Sequence, residues 1–444
     1  MKTVGRSKVA RSIVSACAIV LIASACTFGE KTADSGNGSS GGPVTLKMWA
    51  HRSKSFDQAL VDAANAYHEL HPDVTIELET FAYDDYIQTL QTALPAGKGA
   101  DILHMFGTWT CTYSDFLAPV PSDVESLADA QKVFYPGPLG GYVCGNDETL
   151  YGLPQESNVE YGAILVNTQM AQAAGTSTTG WDNWDDLIAD AVKLTVVQDG
   201  KITRAGYHFT AGDGLAHSFL SLILQAGGNY MNADGTAFTF ATPEGERSLG
   251  LLKSIVDAGA IDPVLFNDES NWVGDCYFTE LCAMGLVGPW AVADYEDDYP
   301  QIVANTVYAK LPPLENDPEF VADSGWGLTV NNESPNAATA WDFIKFAALD
   351  AEQAKQFNLT SGTLPALKEN ATGAAKQDLI EAFPHFKTWF EVLPNARFVG
   401  QLPDRDKLYY DIIYNHGLAA LRGDESIPDA LQAMETEANE TFKE

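Results

Sequence analysis

The stretch AMGLVGPWAVADY, residues 283–295, brings a tryptophan to the end of a predicted strand. Its apolar start, Ala283 to Val287, has the length of one buried strand. Gly288 and Pro289 interrupt the run, and Pro289 suits the first position of a helix because it has no N–H to leave unpaired. Trp290 is therefore predicted at a strand-to-helix turn, where open α/β sheets bind ligands. The alternative for a lone tryptophan is a core position beneath a loop.

The motifs that identify common enzymes are missing from the sequence. It contains no serine nucleophile elbow, no His-Glu-x-x-His, no phosphate loop and no Cys-x-x-Cys pair. Adjacent acids such as Asp84/Asp85 and Asp185/Asp186 could serve glycoside hydrolysis, but a chain with 60 acidic residues contains such pairs by chance. The chain is therefore predicted not to be an enzyme, and a secreted glycoside hydrolase is kept as an alternative.

Length and charge narrow the class of protein further. The 444 residues allow two or three domains, and 45% hydrophobic residues are enough for real cores. The net charge of −34 would repel nucleic acid phosphates and anionic ligands. Nucleic acid is therefore excluded as a partner.

The N-terminus has the pattern of an export signal. A basic start is followed by the apolar run Ile13 to Ala23, which is too short to span a bilayer comfortably. Small residues then precede Cys26, as in a lipobox, so residues 1–25 are predicted to be removed and Cys26 to carry a lipid. The Gly/Ser-rich residues 26–43 are predicted to form a flexible tether.

After the tether, strand and helix patterns alternate. Strands are predicted at 44–50, 74–80 and 100–106, and helices at 56–70 and 83–94. This order is typical of a parallel sheet with helices on its faces. Because the carboxyl ends of these strands share one edge, polar and aromatic residues there are expected to line one half of a cleft.

Several motifs follow one another in the order found in a known family. In chain order they are His71-Pro72-Asp73-Val74, Tyr151-Gly152-Leu153-Pro154, Gly227-Gly228, Asp234-Gly235, Thr242-Pro243-Glu244, Ala283-Met284 with Gly288-Pro289-Trp290, and Ser361 to Pro365. Together they resemble the family 1 extracellular solute-binding proteins, the sugar-capturing components of bacterial ABC importers, which are similar to the maltose-binding protein.

The resemblance implies a periplasmic-binding-protein-like α/β fold of type II. Two α/β lobes would be joined by a three-segment hinge, with lobe 1 at 44–157 and 312–360 and lobe 2 at 158–311 and 361–444. A ligand would bind between the lobes and be buried by hinge closure. The implied protein is a monomer anchored by lipid to the outer face of the cytoplasmic membrane, and its partners are the membrane permease and the attached ATPase.

The resemblance also implies a carbohydrate ligand, most simply a neutral oligosaccharide. Flat aromatic rings suit the apolar face of a sugar, and hydrogen-bonding side chains suit its hydroxyls. The candidate stacking residues are Trp109, Trp290, Trp326, Tyr409 and Tyr410. The candidate polar and neighbouring contacts are His51, Arg52, Ser53, Thr108, Asn158, Glu160, Tyr161, Asp213 and His217.

The pair Tyr409-Tyr410 allows one metal-binding alternative. It resembles the paired tyrosines of ferric-ion-binding relatives, whose phenolates are hard oxygen donors. Adjacent helical residues point about 100° apart, however, so the two rings need not meet one ion. No metal and no other cofactor is predicted.

Four cysteines follow Cys26. An even number in an exported chain indicates two disulfides, for which three pairings are possible. On the two-lobe interpretation each of the pairs Cys111–Cys144 and Cys276–Cys282 falls within one lobe, and these pairings are expected.

Overall fold

A computed structural model of the chain describes residues 42–210, 212–261, 273–315, 318–402 and 404–443. The predicted signal peptide, Cys26 and the tether up to residue 41 lie outside the described residues. Within the described ranges, no helix is both long and apolar enough to cross a bilayer.

The first sheet contains the three strands predicted near the start of the folded chain. Val44–His51 alternates between buried and more exposed positions, whereas every residue of Ile102–Phe106 is buried. These strands run parallel with Val74–Phe81, and the antiparallel strand Trp326–Asn331 extends the sheet. The strand order is Val74–Phe81, Val44–His51, Ile102–Phe106, Trp326–Asn331 and Leu117–Ala118, and Gly152–Pro154 also pairs with Trp326–Asn331.

The second sheet is mixed and shorter. Its order is His208–Phe209, Met284–Leu286, Ala163–Asn167 and Thr306–Lys310. The strand Ala163–Asn167 is buried along its whole length, as expected for a central strand. Four two-stranded pairs complete the described β structure: Val196–Gln198 with Lys201–Arg204, Phe320–Ala322 with Ala396–Phe398, Glu156–Ser157 with Leu364–Pro365, and Val143–Cys144 with Thr149–Leu150.

Helices pack against both sheets. Around the first sheet lie Lys54–Leu70, Tyr83–Ala93, Leu127–Val133, Pro136–Gly140, Ala337–Leu349 and Ala351–Ser361. Around the second lie Thr168–Ala174, Trp184–Leu194, Asp213–Gln225, Pro243–Asp257, Val273–Phe278, Ala291–Tyr295, Pro300–Val303, Gly373–Ala382, Phe386–Val392, Tyr414–Arg422 and Ile427–Thr441. Short 3₁₀ turns occur at Gly107–Trp109, Ser114–Phe116, Glu369–Ala371 and Leu393–Asn395, and a π-helix at Lys407–Ile413.

The buried apolar side chains form two separate cores, one behind each sheet. The chain passes from the first core to the second between Leu153 and Val159, returns to the first between Ala322 and Trp326, and crosses again after Phe357. Strand pairing of Glu156–Ser157 with Leu364–Pro365 ties two of these crossings together. Two short segments pack on the opposite side from the predicted lobe assignment: Phe320–Ala322 joins the second core, and Ala366 with Leu367 joins the first.

A crossing segment also contains a glycine that its surroundings require. Gly325 has φ of +85°, and a Cβ there would lie 2.8 Å from the Glu156 carbonyl oxygen. Its own carbonyl accepts a hydrogen bond from the Gly107 N–H at 2.9 Å. Close backbone approach and positive φ therefore both favour glycine where the crossing chains meet.

One local prediction differs from the structure. The helix after Trp290 is Ala291–Tyr295, so Pro289 is not its first residue. Around Asp234-Gly235, Met231 and Phe238 form a single β-bridge, and the Asn232 side chain accepts the Thr236 and Ala237 N–H groups.

The cysteine pairs behave differently. Cys111 and Cys144 are joined by a disulfide, whereas Cys276 and Cys282 are both buried free thiols, so the expected second disulfide is wrong. The Cys276 carbonyl accepts backbone hydrogen bonds from Leu281 and Cys282, which closes a turn around it. Burial, and then a hydrogen bond with Cys276, raises the pKa of the Cys282 thiol well above its usual range.

Candidate functional site

A cavity of about 460 Å³ lies between the two cores. The ends of the first-sheet strands Val44–His51 and Ile102–Phe106 open onto it, and the turn containing Trp290 does so from the second sheet. Its lining residues are His51, Arg52, Ser53, Phe56, Tyr83, Phe106, Glu156, Asn158, Glu160, Thr210, Asp213, Trp290, Asp294, Tyr295, Trp326, Arg405 and Tyr410.

The wall on the side of the first core contains a stack of three rings. The imidazole of His51 lies 4.7 Å from the Trp326 ring with the planes 15° apart. His104 stacks on the same indole at 5.2 Å. Burial lowers the pKa of His51 to about 4 and that of His104 to about 3. These two imidazoles therefore stay uncharged at neutral pH, and both stack on the indole of Trp326.

The wall on the side of the second core is centred on the guanidinium of Arg405. Its N–H groups donate to Asp213, to Asp323 at 2.7 Å and to Asp406 at 2.9 Å. Burial acts to lower the Arg405 pKa, but the three carboxylates raise it well above its usual range. Burial raises the pKa of Asp406 to about 6. One buried cation thus holds carboxylates from three segments of the chain.

Two further side chains complete this ionic wall. His217 Nε2 and Asp323 Oδ2 are 3.0 Å apart, and burial lowers the pKa of His217 although Asp323 acts to raise it. The hydroxyl of Tyr410 donates to Asp213. Gly212 has φ of +76°, and a Cβ there would lie 2.3 Å from Cδ1 of Tyr410. Glycine is therefore needed for Asp213 to lie so close to Tyr410.

Glu160 orients the turn on which Trp290 lies. Its carboxylate accepts the Gly288 N–H at 3.1 Å and the Trp290 Nε1–H at 3.3 Å. Burial, and then the charge of Asp213, raises the pKa of Glu160 to about 7. The indole of Trp290 is only partly buried and packs against both cores. It is therefore held at the boundary between the cores by a carboxylate from the crossing segment.

Asp294 connects the two cores directly. Its carboxylate, one turn after Trp290, accepts hydrogen bonds from the Ser53 hydroxyl at 2.9 and 3.0 Å, the Ser55 hydroxyl at 2.6 Å and the Ser55 N–H at 3.1 Å. These donors lie at the N-terminus of the helix Lys54–Leu70, where the side chain of the N-cap residue Ser53 makes no capping hydrogen bond to the helix. A carboxylate is favourable there because it faces unpaired N–H groups and the positive end of the helix dipole.

Most of the predicted contact residues meet at the cavity. Nine of them line it: His51, Arg52, Ser53, Asn158, Glu160, Asp213, Trp290, Trp326 and Tyr410. Thr108, Tyr161, His217 and Tyr409 are at most 1% exposed and do not line it. Trp109 lies against a neighbouring groove. Direct ligand contact remains a prediction for all of these residues.

The structure adds cavity residues that the sequence analysis did not single out: Phe56, Tyr83, Phe106, Glu156, Thr210, Asp294, Tyr295 and Arg405. Asp294 and Tyr295 belong to the same stretch as Trp290, so helical spacing after that turn could have indicated them. Arg405 had no such signal, because its partners Asp213 and Asp323 are 192 and 82 residues away in sequence.

The Tyr409-Tyr410 pair is poorly arranged for iron. The ring of Tyr409 lies under the guanidinium of Arg405, 4.3 Å from its centroid. Tyr410 instead donates to Asp213. Burial raises the pKa of both phenols well above their usual range, which opposes the phenolate form that an iron ligand requires. Among the described residues, no cluster of three His, Cys, Asp or Glu side chains could hold a metal ion.

The model of one protein family matches residues 50–354, more than half of the chain. The chain belongs to the bacterial extracellular solute-binding protein family. Family members are binding proteins of transporters. The predicted family is thereby confirmed.

Individual relatives are distant in sequence but cover most of the chain. The galactooligosaccharide-binding protein of Bacillus subtilis is 23% identical over 390 residues, covering 86% of this chain and 87% of the relative. A solute-binding protein of Thermotoga lettingae, solved with α-D-tagatose, superposes with a TM-score of 0.74 at 22% identity, covering 90% of this chain and 100% of its own. The cyclic α-maltosyl-1,6-maltose binding protein of Arthrobacter globiformis gives a TM-score of 0.72 at 22% identity with the same coverages. The predicted type II periplasmic-binding-protein fold is confirmed.

Proposed function

We propose that this solute-binding protein captures a carbohydrate, most simply a neutral oligosaccharide, and delivers it to an ABC permease. The observation that carries the proposal is the cavity between two cores, which combines the partly buried indole of Trp290 with fixed carboxylates. An aromatic surface suits the C–H face of a sugar, and carboxylate oxygens accept from its hydroxyls. The names of relatives that bind galactooligosaccharide and cyclic maltosyl-maltose support the same ligand class.

Capture would proceed by closure of two lobes about the crossing segments. The two cores support lobes close to 44–157 with 312–360 and 158–311 with 361–444, with Phe320–Ala322 moved to the second lobe and Ala366–Leu367 to the first. The contacts of Asp294 with Ser53 and Ser55 join the lobes at the cavity and would stabilise the closed form.

Outside the folded lobes, we propose that Cys26 carries a lipid and that the following tether lets the lobes reach the permease. The basic start, the apolar run and the small residues before Cys26 support this. The Cys26→Ser variant, expressed in a bacterial host, should move from the membrane fraction to the medium. Retention at the membrane would contradict the lipid anchor without affecting the ligand proposal.

A thermal-shift screen followed by calorimetry tests the ligand class. The panel contains maltodextrins, galacto-oligosaccharides, monosaccharides, uronic acids and ferric citrate. At a ligand concentration 100 times its Kd, binding stabilises the folded state by about 2.7 kcal/mol, which gives a clear rise in Tm. We expect neutral saccharides to raise the Tm and to be recovered intact by chromatography. Hydrolysis of the saccharide, or a response to iron alone, would overturn the proposal.

A further inference from the structure

Three polar side chains of the cavity come from one crossing segment. Glu156, Asn158 and Glu160 line the cavity, whereas Ser157 and Val159 between them do not. Ser157 instead donates its hydroxyl to a carbonyl of the paired strand at 2.9 Å, and Val159 is buried in the second core. The segment therefore presents every second residue to the cavity, as an extended chain does.

All three side chains keep hydrogen-bond acceptors available to a ligand. Glu156 accepts one N–H, that of Trp326, and Glu160 accepts two from the turn containing Trp290. A carboxylate offers about four acceptor positions, so both retain some. Asn158 is only 8% exposed, and its Oδ1 has no hydrogen-bond partner among the described residues. The crossing segment thus holds a row of acceptors that the protein itself does not satisfy.

The two carboxyls of this row also lack a counter-ion. In the part of the chain that the structure describes, neither Glu156 nor Glu160 takes part in an ion pair. The two cations that line the cavity are bonded elsewhere. Arg405 is bonded to three aspartates, and Arg52 donates to a backbone carbonyl at 2.9 Å. A cation for these carboxyls would have to come from the ligand.

A protonated primary amine matches this row of acceptors. Its three N–H groups donate and it accepts nothing, whereas the hydroxyl of a neutral sugar donates only once. Burial raises the pKa of Glu156 to about 8 and that of Glu160 to about 7, and the charges of Asp213 and Asp323 act in the same direction on Glu160. An ammonium group would pair with the ionised carboxyl and displace its proton, and charge-assisted hydrogen bonds are stronger than neutral ones.

We propose that Glu156, Asn158 and Glu160 form a subsite for a protonated primary amine, and that the saccharide captured in the cavity carries this amine on one of its sugar units. The inference rests on the proposed carbohydrate-binding function and narrows the ligand class within it. Neutral saccharides of the same shape should also bind, but more weakly.

Two sets of matched disaccharides test the subsite. The β-1,4-linked disaccharide of glucosamine is compared with its N-acetyl form and with cellobiose, and lactosamine with N-acetyllactosamine and lactose. Calorimetric titration of the full chain at pH 6, where the free amine is charged, should show at least about tenfold tighter binding of the amine than of either neutral form. Titration in buffers of different ionisation enthalpy should show proton release with the amine alone, because the ammonium favours the ionised carboxyl.

Glutamine variants locate the effect at the crossing segment. Glu156→Gln and Glu160→Gln each remove one carboxyl and keep an oxygen acceptor, so the ratio of amine to neutral affinity should fall towards one, whatever happens to the affinities themselves. Glu79→Gln is the matched control, because Glu79 also accepts from an indole, that of Trp49 at 3.0 Å, and does not line the cavity. Its ratio should equal that of wild type.

The outcomes separate the two proposals. Amines that bind no more tightly than their neutral forms, or a preference that survives both cavity variants, overturn the amine subsite, while binding of any neutral saccharide leaves the carbohydrate function standing. Spermidine, an amine without a sugar, identifies the source of the cation. Binding of spermidine but of no saccharide overturns both proposals, as does failure of every saccharide, charged or neutral, to bind the wild-type chain.

Discussion

The two walls of the cavity are built on opposite principles. On the first-core side, His51, Trp326 and His104 stack as neutral rings. On the second-core side, Arg405 is bonded to three carboxylates. The first wall depends on packing and the second on compensation of charge. Removing one ring leaves a gap in the first wall, whereas removing the cation leaves buried charges unpaired in the second.

Because removing the cation leaves buried carboxylates unpaired, Arg405→Ala should have the largest effect on the free energy of unfolding. Loss of one partner from a buried ion pair costs about 3–5 kcal/mol because the remaining charge is uncompensated. Asp323 is buried with Arg405 and faces this cost most directly. Denaturant unfolding of the variant should show a loss of this size, and Arg405→Lys should recover little, since one ammonium cannot reproduce the planar guanidinium geometry.

Arg397→Ala is the control for the arginine change. Arg397 is 43% exposed and lies 3.7 Å from Glu319, and an exposed pair of this kind contributes about 0–1 kcal/mol. Similar losses for the two variants would show that the ionic wall stabilises the protein no more than a surface contact does.

Trp290, at the boundary between the two cores, tests how much an aromatic side chain contributes to ligand affinity. Trp290→Ala should weaken saccharide binding by about 2 kcal/mol, roughly thirtyfold, as expected for a central aromatic contact. Because the indole also packs against both cores, the apo protein should lose some stability as well. Calorimetric titration and an apo melting curve on the same variant measure the two effects.

Trp181→Ala provides the matched control for that change. Trp181 is also partly buried, packs against the second core and donates its Nε1–H to Asp190, but it does not line the cavity. The Trp181→Ala variant should have a lower free energy of unfolding than wild type but the same saccharide affinity. Equal saccharide affinities in wild type and Trp290→Ala would remove the indole from the site.

Asp294, on the side of the second core, accepts hydrogen bonds from Ser53 and Ser55 on the side of the first. Removing its carboxylate should therefore destabilise the closed form. A lost helix cap costs about 1 kcal/mol, and Asp294 accepts from three donors at this N-terminus, the Ser53 hydroxyl, the Ser55 hydroxyl and the Ser55 N–H. Asp294→Ala should therefore accelerate ligand dissociation by roughly fivefold or more, while association changes less. Stopped-flow kinetics measure both rates. Asp298→Ala, at an exposed acid of the same segment, should behave as wild type, and an unchanged dissociation rate in Asp294→Ala would exclude a role in closure.

The two walls also differ in how far sequence predicted them. Strand ends in the first sheet follow from short apolar periodicities, so His51 could be placed at the edge of the sheet before the structure was known, whereas Trp326 was named only as a candidate stacking residue. The indole stack with His104 could not, because His104 occupies a fully buried strand that gives no ligand signal. Trp326 lines the cavity with His51 stacked on its indole, and its contact with a sugar stays a prediction.

The ionic wall was mostly missed for a physical reason. Asp213, Asp323 and Arg405 belong to different segments, and only the fold brings them together. Asp213 was predicted as a contact for ligand hydroxyls, whereas its partner Arg405 was not identified. Local sequence patterns determine helices and strands. The pairing of charges on distant segments of the chain depends on the tertiary structure.

Glu156 lies between the two walls and predicts a dependence of stability on pH. It lies in a crossing strand and accepts the Trp326 N–H at 3.0 Å. Burial raises its pKa from 4.5 to about 8. Between these values the folded protein retains a proton that the unfolded chain has lost, so the free energy of unfolding falls as pH rises through this window. The contribution of Glu156 has a slope of up to about 1.4 kcal/mol per pH unit.

Glu156→Gln keeps an oxygen acceptor for Trp326 and stays neutral at every pH. The difference in unfolding free energy between the variant and wild type should therefore grow from pH 5 to pH 8, in favour of the variant. Denaturant unfolding at several pH values measures this difference. Glu77→Gln, at an exposed strand position, controls for the loss of one acid from a strongly negative chain. Parallel plots of unfolding free energy against pH for Glu156→Gln and wild type would contradict the prediction. Glu156 would then be ionised in the folded protein from pH 5 to pH 8, as a buried charge like those around Arg405.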